Sequence, residues 1–215
     1  RYTTCIPNST YLSSGTTAFG ASDILVVRFV EPEPVTDLQD GVVYIRSAAG
    51  VRPDATKLFL GQTPPGEPGN DYRLRAYAYY ISSFYEDEGD GIPTLKRASL
   101  EGPTGGGTTP RIIPGSSGEE DIVIPGIESF HVQFGLDTDG DGDANQYLNA
   151  NRLTDADWDA VIAVRFWLVA RAESAEKDFE NSTTYGLPHA DVAFGTAATP
   201  SDAFRRLRVT RTIRI

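Results

Sequence analysis

The sequence predicts a mainly β chain, a soluble globular domain of two antiparallel sheets, and three observations carry that expectation. Gly and Pro, 21 and 14 of 215 residues, are frequent enough to punctuate many short strands. Runs of the helix formers Ala, Leu, Glu and Lys are scarce, which argues against a helix bundle. Several segments alternate apolar and polar residues with the period of two that one-sided burial of a strand produces. With 40% hydrophobic and 23% charged residues the composition is ordinary for a globular chain, so disordered, collagen-like and coiled-coil classes fall away.

The strands read in order. Asp23–Val30 and Gly41–Arg46 are mostly apolar runs of strand length, expected to be buried, with the turn-prone Glu31-Pro-Glu-Pro34 between them. From Tyr72 to Ile81, Tyr72, Leu74, Ala76, Ala78 and Tyr80 share one face while Arg73, Arg75, Tyr77 and Tyr79 share the other. That is a half-exposed strand, and Thr94–Leu100 is its expected hairpin partner across the acidic turn Glu86–Gly91. The stretch 101–120 holds six glycines and three prolines and reads as a long mobile loop.

Phe130, Val132 and Phe134 then alternate with His131 and Gln133, with Gly135 expected to break the strand. Thr154-Asp-Ala-Asp157 reads as an N-cap with acids suited to the helix dipole, giving a short helix of about two turns through Trp158. Val161–Arg171 is the most strand-like segment, expected to be central. Leu207, Val209, Ile213 and Ile215 share one face of a last, amphipathic strand, with Arg211 interrupting the apolar side. No repeat and no clean boundary divides the chain, so 1–215 is expected to form a single domain.

The net charge of −11 argues against nucleic acid or an anionic membrane surface as the main partner. From Glu119 to Asp159 eleven acids face one Arg, a local balance of −10, while Arg205–Ile215 carries five Arg and no acid. An acidic centre and a basic end are suited to pairing, within the molecule or between neighbouring copies. The single Cys5 excludes an internal disulfide framework and a CxxC metal site. The chain starts at Arg1 without any Met and reads as an excised piece of a longer precursor. No run of about 18 apolar residues is present to span a bilayer.

The strongest local signal is Asp137-Thr-Asp139-Gly-Asp141-Gly-Asp143-Ala-Asn145. Oxygens at every second position with a glycine after the third acid match the first half of the calcium loop Asp-x-Asp-x-Asp-Gly. Ca²⁺ takes 6–8 hard oxygen ligands, and a loop curling around the ion supplies them from alternate residues. The expected metal ligands are Asp137, Asp139, Asp141, Asp143 and Asn145, holding a structural Ca²⁺. Where the loop wants a closing Glu the chain has Leu148, so the remaining ligands come from elsewhere, with Asn149, Asp155 and Asp157 as candidates. The same pattern also suits Mg²⁺, or a solvated acidic turn that holds no ion. The turn Glu86–Gly91 lacks this spacing.

Nucleophile motifs are missing: there is no Gly-x-Ser-x-Gly elbow, His-Glu-x-x-His or P-loop. His131 and His189 read as ordinary surface or half-buried residues, and no cofactor other than the ion is expected. Asn8-Ser-Thr10 and Asn181-Ser-Thr183 fit the glycosylation sequon.

Gly126-Ile-Glu-Ser-Phe-His-Val-Gln-Phe-Gly-Leu-Asp-Thr-Asp-Gly-Asp-Gly142, Trp158, the strand Val161–Arg171 and Phe204–Arg214 together resemble the C-terminal half of PilW-type minor pilins of bacterial type IV pili. Asp23–Arg28, Tyr79-Tyr-Ile-Ser82 and Gly91–Arg97 are similar to matching strands of that family and of the related J-type pseudopilins of type II secretion. The resemblance implies an α+β pilin-like subunit whose apolar N-terminal helix, absent here, sits in the inner membrane before assembly and in the fibre core afterwards. It implies a non-enzymatic role in a tip complex that primes assembly, with other minor pilins, the major pilin and a tip adhesin as partners. Localisation would be the periplasmic side of the inner membrane, then the fibre tip at the cell surface. Two other readings stay open: a type II secretion pseudopilin, and a secreted calcium-stabilised carbohydrate-binding module using Tyr72, Tyr77, Tyr79 and Tyr85.

Overall fold

A computed structural model describes residues 22–47, 57–62, 64–66, 68–87, 89–102, 111–114, 121–188 and 202–215. Its residues cluster into two compact units, one built from Leu25–Tyr79 and Arg97–Asp121, the other from Tyr80–Lys96 and Ile122–Ile215 with the described residues up to Ile24. Strands β4 (Asn70–Ser82) and β5 (Thr94–Glu101) contribute residues to both. The chain is mostly β, with two antiparallel sheets, as its alternation predicts. Among the described residues no helix is long and apolar enough to cross a membrane.

In the first unit the order is β3 (Lys57–Leu60), β2 (Val43–Ser47), β4, β5 and β6 (Arg111–Pro114), with β1 (Leu25–Val30) also on β4. Thirteen residues make β4 long enough to hold two partners end to end: β2 through Asn70–Arg73 and β1 through Leu74–Tyr79. Its apolar face is buried at Ala76 and Ala78, and Tyr44 of β2 is buried against the Phe59 ring of β3 at 5.5 Å. Arg46 clamps Asp71 with two hydrogen bonds of 2.7 and 2.6 Å, so the acid that interrupts the start of β4 is compensated inside the sheet.

The second unit carries a four-stranded sheet in the order β11 (Arg206–Arg214), β10 (Val161–Arg171), β8 (Ile127–Leu136), β9 (Gln146–Asn149), whereas β7 (Asp121–Pro125) belongs to the seven-stranded sheet as a partner of β5. As expected, β10 is interior, flanked by β8 and β11 along nearly its whole length. Phe130, Val132 and Leu136 are buried, Phe130 stacks on Phe166 at 6.1 Å, and Phe134 meets Trp158 edge-on at 4.8 Å. On the opposite face Trp167 Nε1 donates to Gln133 and the Arg165 guanidinium lies 3.4 Å from the Tyr147 ring centre. Lys96, buried in β5, directs its ammonium at the Phe84 ring, 4.0 Å away.

Several local expectations are corrected. The apolar run of β1 is not buried: Val27, Phe29 and Val30 are exposed, and among the described residues β1 pairs with β4 alone. Gly135 does not break β8, which runs on to Leu136. It is needed for close packing, since a Cβ there would meet Tyr147, Ala144 and Ala163 at 2.8, 3.0 and 3.1 Å. Within the segment read as a loop, Arg111–Pro114 forms β6 opposite Ala98–Glu101, the Ile112-Ile113 pair being enough to seed a short strand. The expected two-turn helix is one 3₁₀ turn, Asp157–Ala160. Asp157 accepts from the Thr154 N–H and hydroxyl, both at 2.7 Å, while no side chain caps the 3₁₀ turn, so Thr154 is not the N-cap it was expected to be.

Candidate metal centre

The acidic segment is held at both ends by the sheet. Asp137 N–H donates to the Ala160 carbonyl and Asn145 N–H to that of Leu136, each at 2.9 Å, after which β9 folds back on β8. Gly140 and Gly142 take left-handed φ values of 80° and 87°, a conformation that residues with a Cβ resist. These constraints turn seven residues tightly enough for their side chains to converge.

Donor oxygens of Asp137, Asp139 and Asp141 lie within 4.8 Å of one another, the arrangement expected of alternate ligands around one ion. The other two expected ligands are placed differently. Asp143 stands outside this group, its N–H donating to Asp141 at 2.8 Å. Asn145 Oδ1 accepts from the Thr138 N–H at 2.8 Å, and its Nδ2 donates to Asp139 at 3.3 Å. Leu148 sits on β9 opposite Phe134. Of the candidate closing ligands, Asn149 accepts from Gln133 and Asp157 from Thr154. Three hard carboxylates fit Ca²⁺ or Mg²⁺ and no soft metal.

Asp137 has a second task that ligand spacing alone does not reveal. Its two oxygens accept from Gly142 N–H at 2.8 Å and Gly140 N–H at 2.7 Å. The Gly142 bond first, with that of Gly140, holds its carboxyl below the ordinary carboxylate range. The signal was present as an Asx-turn residue three positions before a glycine. A Cβ on Gly142 would lie 3.2 Å from the Arg214 guanidinium, so the end of β11 brings a cation to this loop.

A second constellation draws on residues far apart in sequence. Glu128 and Arg206, both with fully buried side chains, form a hydrogen-bonded ion pair. Arg206 also clamps Asp202 with bonds of 2.6 and 2.7 Å, and Arg171 Nε faces Glu128 Oε2 at 3.9 Å while its guanidinium covers the Phe204 ring at 4.4 Å. Burial pushes the Glu128 carboxyl up against the pull of Arg206, whereas the Arg206 hydrogen bonds hold Asp202 below the ordinary range. One acid of the acidic centre, Glu128, thus pairs with Arg206 of the basic end within the molecule, tying β11 to β8.

His131, expected at the surface or half-buried, is fully buried, with Nδ1 3.7 Å from Asp23. Segment 22–24 covers it: Ser22 and Asp23 accept from the N–H groups of Phe130 and Val132. Asn181 is buried and bonded to Phe204 O and to the Thr183 N–H, which makes its sequon inaccessible in the folded chain. Tyr72, Tyr77, Tyr79 and Tyr85 are all half-buried, and Arg97 lies over Tyr77. In the turn Glu86–Gly91, Asp90 accepts from the N–H groups of Tyr85, Glu86 and Ile92. Cys5, Asn8, His189, and 103–110 and 115–120 of the loop lie outside the described residues.

Comparison with known proteins gives the class. The family model described as Type IV Pilus-assembly protein W, PilW, matches residues 78–215, which include β8 through β11 and the acidic loop. The chain belongs to the PilW family, and with it to the type IV pilus apparatus of the cell envelope. Among solved structures, a type IV-like pilin from Thermus thermophilus is matched at 16% identity over 82% of this chain and 84% of that one, with a TM-score of 0.31. At that score the membership rests on the sequence match. No curated protein matches the chain.

Proposed function

We propose that this chain is the globular part of a minor pilin, a non-enzymatic subunit of the tip complex that primes type IV pilus assembly. The observation that carries the proposal is the family match across residues 78–215. In this reading an apolar N-terminal helix precedes Arg1, anchors the subunit in the inner membrane and later packs in the fibre core. Its partners are other minor pilins, the major pilin and a tip adhesin. The test is complementation of a strain lacking the gene: full-length protein is expected to restore surface pili visible by electron microscopy. Normal piliation in the deletion strain would contradict the role.

The acidic loop belongs to the same proposal as a structural Ca²⁺ site, supported by the convergence of Asp137, Asp139 and Asp141. The ion would offset their mutual repulsion and fix the strand β8 to β9 connection. At a Ca²⁺ concentration about a hundredfold above Kd, linkage adds about 2.7 kcal/mol to stability. Thermal melts with Ca²⁺ and with chelator are expected to differ accordingly, and Asp139→Ala with Asp141→Ala should abolish the difference. Asp137 is left in place because its carboxylate accepts from two backbone N–H groups of the turn, whereas Asp139 and Asp141 accept from one each. Identical melts with Ca²⁺ and chelator would remove the site.

A further inference from the structure

The four-stranded sheet ends on β11, and no strand lies on its outer side among the described residues. The register fixes which groups that edge offers. Ile215 N–H donates to Ile162 and Ala172 N–H to Arg205, so odd-numbered residues of β11 bond to β10 and even-numbered ones point outward. The N–H and C=O groups of Arg208, Thr210, Thr212 and Arg214 therefore form an open hydrogen-bonding edge. Natural edges of this kind are usually kept short, bent or interrupted by proline. This one runs nine residues with neither Gly nor Pro, and Leu207, Ile213 and Ile215 are 64, 54 and 73% exposed.

Charge along the strand divides unevenly. Arg205 and Arg206, at its start, are neutralised by Glu176 and by Glu128 with Asp202. Arg208 donates to the Gly186 carbonyl and Arg214 lies beside Gly142, but neither they nor Arg211 forms an ion pair among the described residues. The cations left over are thus those along the open edge, in a chain of net charge −11. Among the described residues none supplies them with a salt-bridge partner, so they are available to acidic groups of another molecule.

We propose that β11 is a docking edge that accepts an extended acidic strand of a neighbouring pilus subunit by β-augmentation. Main-chain hydrogen bonds from the even-numbered residues give affinity, and Arg208, Arg211 and Arg214 select acidic side chains. The identity of the occupant as a pilus subunit rests on the minor-pilin reading; the chemistry of the edge does not.

The test is residue-resolved amide exchange by NMR on the 215-residue chain, alone and with a terminally blocked peptide alternating glutamate and valine. Alone, the odd-numbered amides of β11 should be protected and those of 208, 210, 212 and 214 exchange fast. The peptide should slow these even-numbered amides in a salt-sensitive manner, while its lysine–valine counterpart does not. Thr210→Pro removes one outward N–H without touching a bond to β10, and should weaken peptide binding about tenfold or more with the melting temperature nearly unchanged. Even-numbered amides already protected in the free chain, with or without dependence on its concentration, would overturn the proposal by showing the edge covered internally or by a second copy. Equal binding of both peptides, or of neither, would overturn it as well. Because piliation is not read here, either outcome leaves the minor-pilin role to its own test.

Discussion

Replacing Arg206 with alanine is expected to cost about 3–5 kcal/mol, the range for removing one partner of a buried ion pair, and to lower the melting temperature by about 6–20 °C. The reason is that Glu128, with no exposed side-chain surface, would lose its hydrogen-bonded cation, leaving a buried carboxyl that burial pushes up further and that is left without its partner whether charged or protonated. Arg171 at 3.9 Å is too far to replace it. Glu128→Gln should cost less, since Arg206 retains both bonds to Asp202. The same cluster gives acid sensitivity with a definite sign. Asp202 is held below the ordinary carboxylate range by Arg206, so its contribution is complete above that range and is lost as pH falls through its lowered folded value. Melts taken across the acid range should show that loss in the parent chain and a weaker one in Arg206→Ala. Equal stability of parent and Arg206→Ala at neutral pH would show that the cluster does not hold β11.

Gly102→Ala is the second large effect. A Cβ at Gly102 would overlap the backbone of Gly41, including its carbonyl, in the turn that leads into β2. Backbone on one side and the end of β5 on the other leave no flexible side chain to give way, so the loss should reach about 3 kcal/mol, the upper part of the overpacking range. Gly140→Ala finds open space for its Cβ but has a positive φ, so its cost is conformational and smaller, about 1 kcal/mol. Denaturant unfolding of the two variants side by side distinguishes steric overlap from backbone strain. A larger loss for Gly140→Ala would contradict the packing at Gly102.

What the sequence made legible follows from the range of the interactions involved. Strands β4, β10 and β11 were readable because each is nine or more residues long, β4 and most of β11 alternating with a period of two and β10 being almost wholly apolar. Strands β3, β6 and β9 have four residues each and no such pattern. Their existence depends on a neighbour in the sheet. The exposure of β1 was illegible for a related reason: an apolar run records composition, while burial depends on what covers it. The convergence of Asp137, Asp139 and Asp141 was visible because it is local, built by two glycines within one turn. Glu128, Arg171 and Arg206 meet only through the registers of β8, β10 and β11, so no spacing announced their cluster.

The measurement that bears most directly on the central claim is intact-mass analysis and N-terminal sequencing of the native protein isolated from cells. The minor-pilin account predicts a methylated N-terminal residue heading a stretch of about 20 or more apolar residues that leads into Arg1. A signal-peptidase cut a few residues upstream, with no apolar helix, would contradict it and leave a secreted β domain.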